Sequence, residues 1–202
     1  MALTAAVASL VYRGRQGESF SPLNHFVSEL GELGVSKLAW LFNAGLMFGG
    51  IAFVVFILGL AATRSGLLRY AYAVTGVIAG IGGSLVGVFP MNDLVTHSMV
   101  ATTFFVSGLF TVLLGSIDVW RQPDPRFPRW LAVLGVLDAL AFAVFNVLMN
   151  RERSGLASPE SRPDIWPLTI FEWLCLGGIL AWTLLASLTW WRATSPRTAA
   201  PA

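Results

Sequence analysis

Charge is scarce in this sequence. Only 12% of its 202 residues are charged, about half of what soluble domains carry, while 55% are hydrophobic. Lys37 is the single lysine, and every other basic residue is Arg. The net charge is +2 and the basic residues are scattered, so there is no basic stripe to grip nucleic acid. Cysteine is reduced to Cys175, which lies in an apolar run and has no partner for an internal disulfide. Motifs that carry chemistry are missing too. No Gly-rich phosphate loop follows a strand pattern, no H-E-x-x-H supplies metal ligands, and no G-x-S-x-G elbow surrounds a serine. Neither a metal nor another cofactor is therefore expected. Paired broken helices at matching positions, the mark of many transporters, are absent as well.

Long apolar runs are what the chain has instead. Five are long enough for a bilayer, which takes about 20 residues. They cover residues 38–62, 68–89, 94–117, 130–149 and 168–191. Trp40, Trp120, Trp130, Trp166, Trp190 and Trp191 stand near their ends, where indoles suit the headgroup level. A sixth run, residues 2–12, would reach only about 16 Å as a helix. It lacks the basic start and small-residue cleavage site of a signal peptide, so it reads as a partial first span whose beginning is missing. The expected fold is all-α: a polytopic transmembrane bundle over residues 1–192, with five full spans plus a short or truncated first one. Residues 193–202 are expected to form a disordered cytoplasmic tail.

Orientation follows from arginine density in short loops. Arg64, Arg69, Arg121, Arg126, Arg129, Arg192 and Arg197 mark one side, and most loop carboxylates fall on the other. The Arg-dense side is assigned to the cytoplasm of a plasma-membrane protein. That puts the C-terminus inside and Ser21–Glu32 outside. The glycine pairs Gly45/Gly49, Gly76/Gly80 and Gly83/Gly87 suit close helix packing within one subunit, and leave the oligomeric state open.

The stretch "SPLNHFVSELGE" concentrates polar residues. Ser21 before Pro22 is a helix start and Gly31 a helix stop. At about 100° per residue, Leu23, Phe26, Val27 and Leu30 fall opposite Asn24, His25, Ser28 and Glu29. A short amphipathic helix is expected, lying either on lipid headgroups with its polar face in water, or across the bundle mouth.

Polar residues inside the spans point to the same end. An ionisable group within a span is costly and therefore a functional candidate. With the orientation above, Asn43, His97, Asn146, Asn150 and Glu172 all approach the outer surface, level with the amphipathic stretch. The candidate catalytic residues are His97, Glu29 and Ser28, because a serine, a histidine and a carboxylate could form a hydrolase-like trio. Candidate binding residues are Asn24, His25, Asn43, Asn146 and Glu172. Each has a plainer role open to it: His97 capping the turn after Pro90, for example, or Glu172 reaching headgroup water. Asp138 lies deeper and on the other side, where Ser, Thr, Arg69 or Arg129 are the partners to expect.

The segments "SPLNHFVSELGE", "LFNAGLMFGG", "GVFPMND" and "HSMVATTFF" together resemble the domain-of-unknown-function 998 family of prokaryotic multi-span membrane proteins. The matching positions are Asn24, Ser28, Glu29, Leu30, Gly31, Phe42, Asn43, Gly87, Phe89, Pro90, His97 and Ala101. The resemblance implies about six spans, with a full first span that this chain shows only in part. It implies no activity. The functional expectation rests on the polar cluster: handling of a lipid or other apolar metabolite at the outer leaflet, with membrane lipids as partners and no nucleic acid. The alternative is a structural or accessory membrane protein, and whether any chemistry is catalysed stays open.

Overall fold

Helix formation follows the apolar runs closely. The structure, a computed structural model, describes residues 1–152 and 162–195. Its elements are α1 (Ala2–Val11), a 3-10 turn (Val27–Gly31), α2 (Ala39–Ala62), α3 (Leu68–Val88), α4 (Leu94–Arg121), α5 (Arg129–Glu152) and α6 (Pro167–Thr194). There is no strand among the described residues. Helices α2 to α6 are long and apolar enough to cross a membrane. Even the shortest, α3 with 21 residues, reaches about 32 Å, against a hydrocarbon core of about 30 Å.

The helix ends differ from the apolar runs where charge has found a partner. Helix α4 continues past Ile117 to Arg121, because Asp118 is buried against Arg64 rather than exposed. Helix α6 runs to Thr194, so the expected tail is helical at its start, and residues 196–202 lie outside the described residues. Likewise the loop after Asn150 begins later than expected, since α5 continues to Glu152. Most of that loop lies outside the described residues as well.

Each long helix packs lengthwise on the next, from α2 through α6, whereas α2 and α6 touch little. Helix α1 is wedged against α2 and the 3-10 turn, beside Trp173 and Leu176 of α6. The main core lies within α2 to α6 and includes Ile57, Tyr72, Phe142 and Trp182. A smaller core under the turn joins Ala8 and Tyr12 to Val27, Leu30 and Phe42. Apolar residues such as Phe48, Val55, Val74 and Leu140 remain exposed around the outside, as lipid-facing positions would.

Glycine lets the backbones approach. A Cβ on Gly80 would meet the Gly50 carbonyl oxygen at 2.7 Å, and one on Gly87 the Asn43 carbonyl oxygen at 2.5 Å. The Gly45, Gly76 and Gly83 positions face Thr4, Ile57 and Phe104 of neighbouring helices. The small residues thus serve packing within this chain. Hydroxyls inside α4 are satisfied locally: Thr103, Ser107, Thr111 and Ser116 each donate to the carbonyl four residues earlier.

Candidate functional site

The stretch Ser21–Glu32 is not a two-faced helix. Asn24 and His25 N–H groups close a turn on the Ser21 carbonyl, and only Val27–Gly31 is helical, in 3-10 form. All five residues of that turn are buried, the polar ones included, while Leu23 of the expected apolar face is exposed. Burial of both faces leaves neither a water-facing polar face nor a headgroup-facing apolar one. Gly31 does end the helix, but the left-handed glycine is Gly34, at φ +85°. Gly31 is needed for space: a Cβ there would run into the Asn43 carboxamide oxygen.

Two carboxylates cap this turn. Glu29 Oε1 accepts from its own Phe26 N–H at 2.8 Å, and Glu172 Oε2, from α6, accepts from Val27 N–H at 2.6 Å. These are N–H groups that a helix start leaves without partners. Glu29 also faces Arg162, whose Nη1 lies 3.1 Å from Oε2, and accepts from the Tyr12 hydroxyl at 3.3 Å. Burial, then the Glu29 charge, pushes the Tyr12 phenol above its ordinary value, so it remains a donor. Further bonds pin the segment to the bundle. Asn43 Nδ2 donates to the Gly31 carbonyl at 2.9 Å, and the Trp166 N–H donates to the Leu23 carbonyl at 2.7 Å. The Asn92 amide exchanges two bonds with the Leu33 backbone, at 2.8 and 2.9 Å. Trp166 is therefore not a headgroup anchor. It is buried, packed edge-to-face with Phe26, and donates its indole N–H to Glu152.

The candidate residues separate into three groups. His25 is buried in the segment's own aromatic nest, between Tyr12 and Phe20, with Asn24 beside its Nδ1. Asn43 serves the turn. Asn146 donates to the Phe142 and Phe105 carbonyls, at 2.8 and 3.3 Å. His97 Nδ1 lies 2.8 Å from the Phe89 carbonyl, so it carries the proton and ties down the α3–α4 turn. That is the capping role foreseen for it. Asp138 meets neither Arg69 nor Arg129. Arg69 donates to the Arg64 carbonyl and the Tyr70 hydroxyl, Arg129 stacks on Trp120, and Asp138 lies buried against Gly178. Its carboxylate oxygens have no hydrogen-bond partner among the described residues.

Ser28, His97 and Glu172 do share a place. All three line a cavity of about 480 Å³ between α4 and α5, together with Ser98, Asn146 and Asn150. They also line a cavity of about 280 Å³ whose other walls are apolar, among them Phe53, Phe104 and Ile179. Leu94 and Val106, exposed on the bundle surface, edge the larger one. The Ser28 side chain lies beside the Glu172 carboxylate, and its hydroxyl approaches Met91 Sδ at 3.3 Å. No hydrogen bond joins Ser28 to His97 among the described residues, so the pairing a nucleophilic serine needs is not made. Nor, among the described residues, do three metal-ligating side chains gather.

This arrangement couples a segment between the first two helices to "GVFPMND" and His97. A model of a protein of unknown function (DUF998) matches residues 1–189. The chain belongs to the DUF998 family. No curated protein and no solved structure matches it. For this family member, the sequence alone did not single out Arg162, although a basic residue on the carboxylate-rich side was a signal. Phe105 and Ala101 line both cavities; Phe105 carries no signal of its own in an apolar span, and Ala101 stands out only as a position of the family resemblance.

Proposed function

We propose that this multi-pass protein holds a lipid or other apolar metabolite at the outer leaflet of the plasma membrane. The apolar part lies in the paired cavities, and the polar part meets Ser28, His97 and Glu172. One observation carries the reading: two largely apolar cavities, the larger with several polar side chains in its wall, share those three side chains. A concave site with apolar walls and a few converging polar groups is the usual form of a small-molecule site. Glu29 and Arg162 fasten the turn that bears Ser28. The orientation is supported by Arg69, Arg121, Arg126, Arg129 and Arg192, which places the C-terminus inside and the 3-10 turn outside.

A second reading, a structural or accessory protein, is favoured by the bonds that His97, Asn43 and Asn146 make to backbone carbonyls. Ala101 separates the two readings, since it lines both cavities. Ala101→Phe should fill the junction without removing a hydrogen bond, and cavity filling is commonly neutral or stabilising. Under the binding reading, mass spectrometry finds a lipid or metabolite retained by the wild-type protein and lost from the variant, at unchanged melting temperature. Equal small-molecule content in the two proteins would favour the structural reading.

A further inference from the structure

The charge balance around the larger cavity narrows what its polar end accepts. Among the described residues that line it there is one carboxylate, Glu172, and neither Lys nor Arg. Glu172 is 5% exposed and makes no ion pair among the described residues. Arg162 is committed to Glu29, the other carboxylate that caps the turn. The rest of the polar lining is neutral: Ser28, Ser98, Thr102 and Asn150 can donate or accept, and two further groups are left as acceptors. His97 commits Nδ1 as a donor to Phe89, which leaves the Nε2 lone pair of the neutral ring. Asn146 spends its N–H groups on the Phe142 and Phe105 carbonyls, which leaves its oxygen.

A phosphate or carboxylate entering here would meet the buried Glu172 carboxyl group and no lysine or arginine among the described lining residues. A primary ammonium matches the inventory: one positive charge, three N–H donors and no acceptor. We propose, on the basis of the binding reading above, that the ligand presents a primary ammonium group, held by Glu172 with His97 Nε2 and the Asn146 oxygen as further acceptors. The shared chemistry fits two sources, a free long-chain amine and the ethanolamine tip of a phospholipid. Burial makes the charge preference steep, because an ion pair inside the bundle is screened far less than one in water.

The test uses purified protein in phosphatidylcholine nanodiscs. Binding of dodecylamine is compared with dodecanoate, which reverses the charge, and with dodecyltrimethylammonium, which keeps the charge but has no N–H donor. Dodecylamine should bind at least tenfold more tightly than either. In Glu172→Gln that preference should vanish, and the wild-type comparison stands alone should the variant fail to fold. Lysophosphatidylethanolamine that displaces dodecylamine assigns the site to an aminophospholipid; failure to displace assigns it to a free amine. Dodecanoate or dodecyltrimethylammonium binding as well as dodecylamine would overturn the head-group assignment and leave the binding reading standing. Binding of none of the probes, with no retained lipid in the wild-type protein, would remove both.

Discussion

The two ends of the bundle are built from similar polar residues and behave as opposites. At the end away from the 3-10 turn, Arg64 inserts between α4 and the following loop. Its guanidinium donates to Asp118 Oδ2 at 2.7 Å and to the Asp118 and Gln122 carbonyls at 2.9 and 2.8 Å. Asp124 adds a second carboxylate at 3.6 Å, and Phe127 covers the guanidinium. Arg64 and Asp118 side chains are 2% and 1% exposed, so this guanidinium and this carboxylate meet matched partners out of water. At the turn end, Glu172 and His97 are nearly as buried, yet Glu172 has no ion-pair partner among the described residues and two cavities adjoin both side chains. The first pattern is how a bundle seals an end. The second leaves room and unmet hydrogen-bonding capacity for something else.

The largest effect should come from breaking the sealed end. Arg64→Ala leaves Asp118 buried without its cation, which typically costs about 3–5 kcal/mol. Unfolding in detergent should show that loss, and Arg64→Leu combined with Asp118→Leu should recover much of it. If Arg64→Ala unfolds like wild type, the contrast between the ends disappears. A smaller loss is expected at the other end from Gly31→Ala, whose methyl group strikes Asn43. Overpacking of this kind costs about 1–3 kcal/mol. A double-mutant cycle with Asn43→Ala should relieve most of it, and simple additivity would show that Asn43 is not the obstacle.

The smallest effect concerns pH. The Arg126 hydrogen bond holds the Asp124 carboxyl below its usual range. A carboxylate with a depressed folded value stabilises above its unfolded value and loses that contribution as pH falls through the folded one. Melting temperature should therefore decline on acidification below about pH 4, the ordinary Asp range. Asp124→Asn should flatten that limb by lowering the neutral-pH melting temperature slightly, so that the variant and wild type converge in acid. An unaltered acid limb would show that Asp124 adds little to the sealed end.

Much of the architecture was legible because membrane spans are set by composition and length, which are properties of consecutive residues. The five long helices lie within a few residues of the apolar runs, except where Asp118 found Arg64 and α4 could continue. The amphipathic helix was misread for the complementary reason. A 3.6-residue period assumes one buried face, and Val27–Gly31 is buried on all sides by partners far away in sequence. Asn24, His25 and Asn43 came to the right end of the molecule but serve the segment itself. Level along a span is visible in sequence, whereas rotation about the helix axis, which decides what a side chain faces, is not.

By itself the sequence determined that this is a helical membrane protein of the DUF998 family with five long apolar helices. Solvation dictates that much: an oily run of about 20 residues has few other stable environments. Tertiary structure alone decided which polar groups cancel one another. Arg64 with Asp118, Glu29 with Arg162 and Glu172 with the Val27 N–H are separated by 54, 133 and 145 residues. Such pairings depend on how helices rotate and pack together. The same packing left Ser28, His97 and Glu172 beside open space.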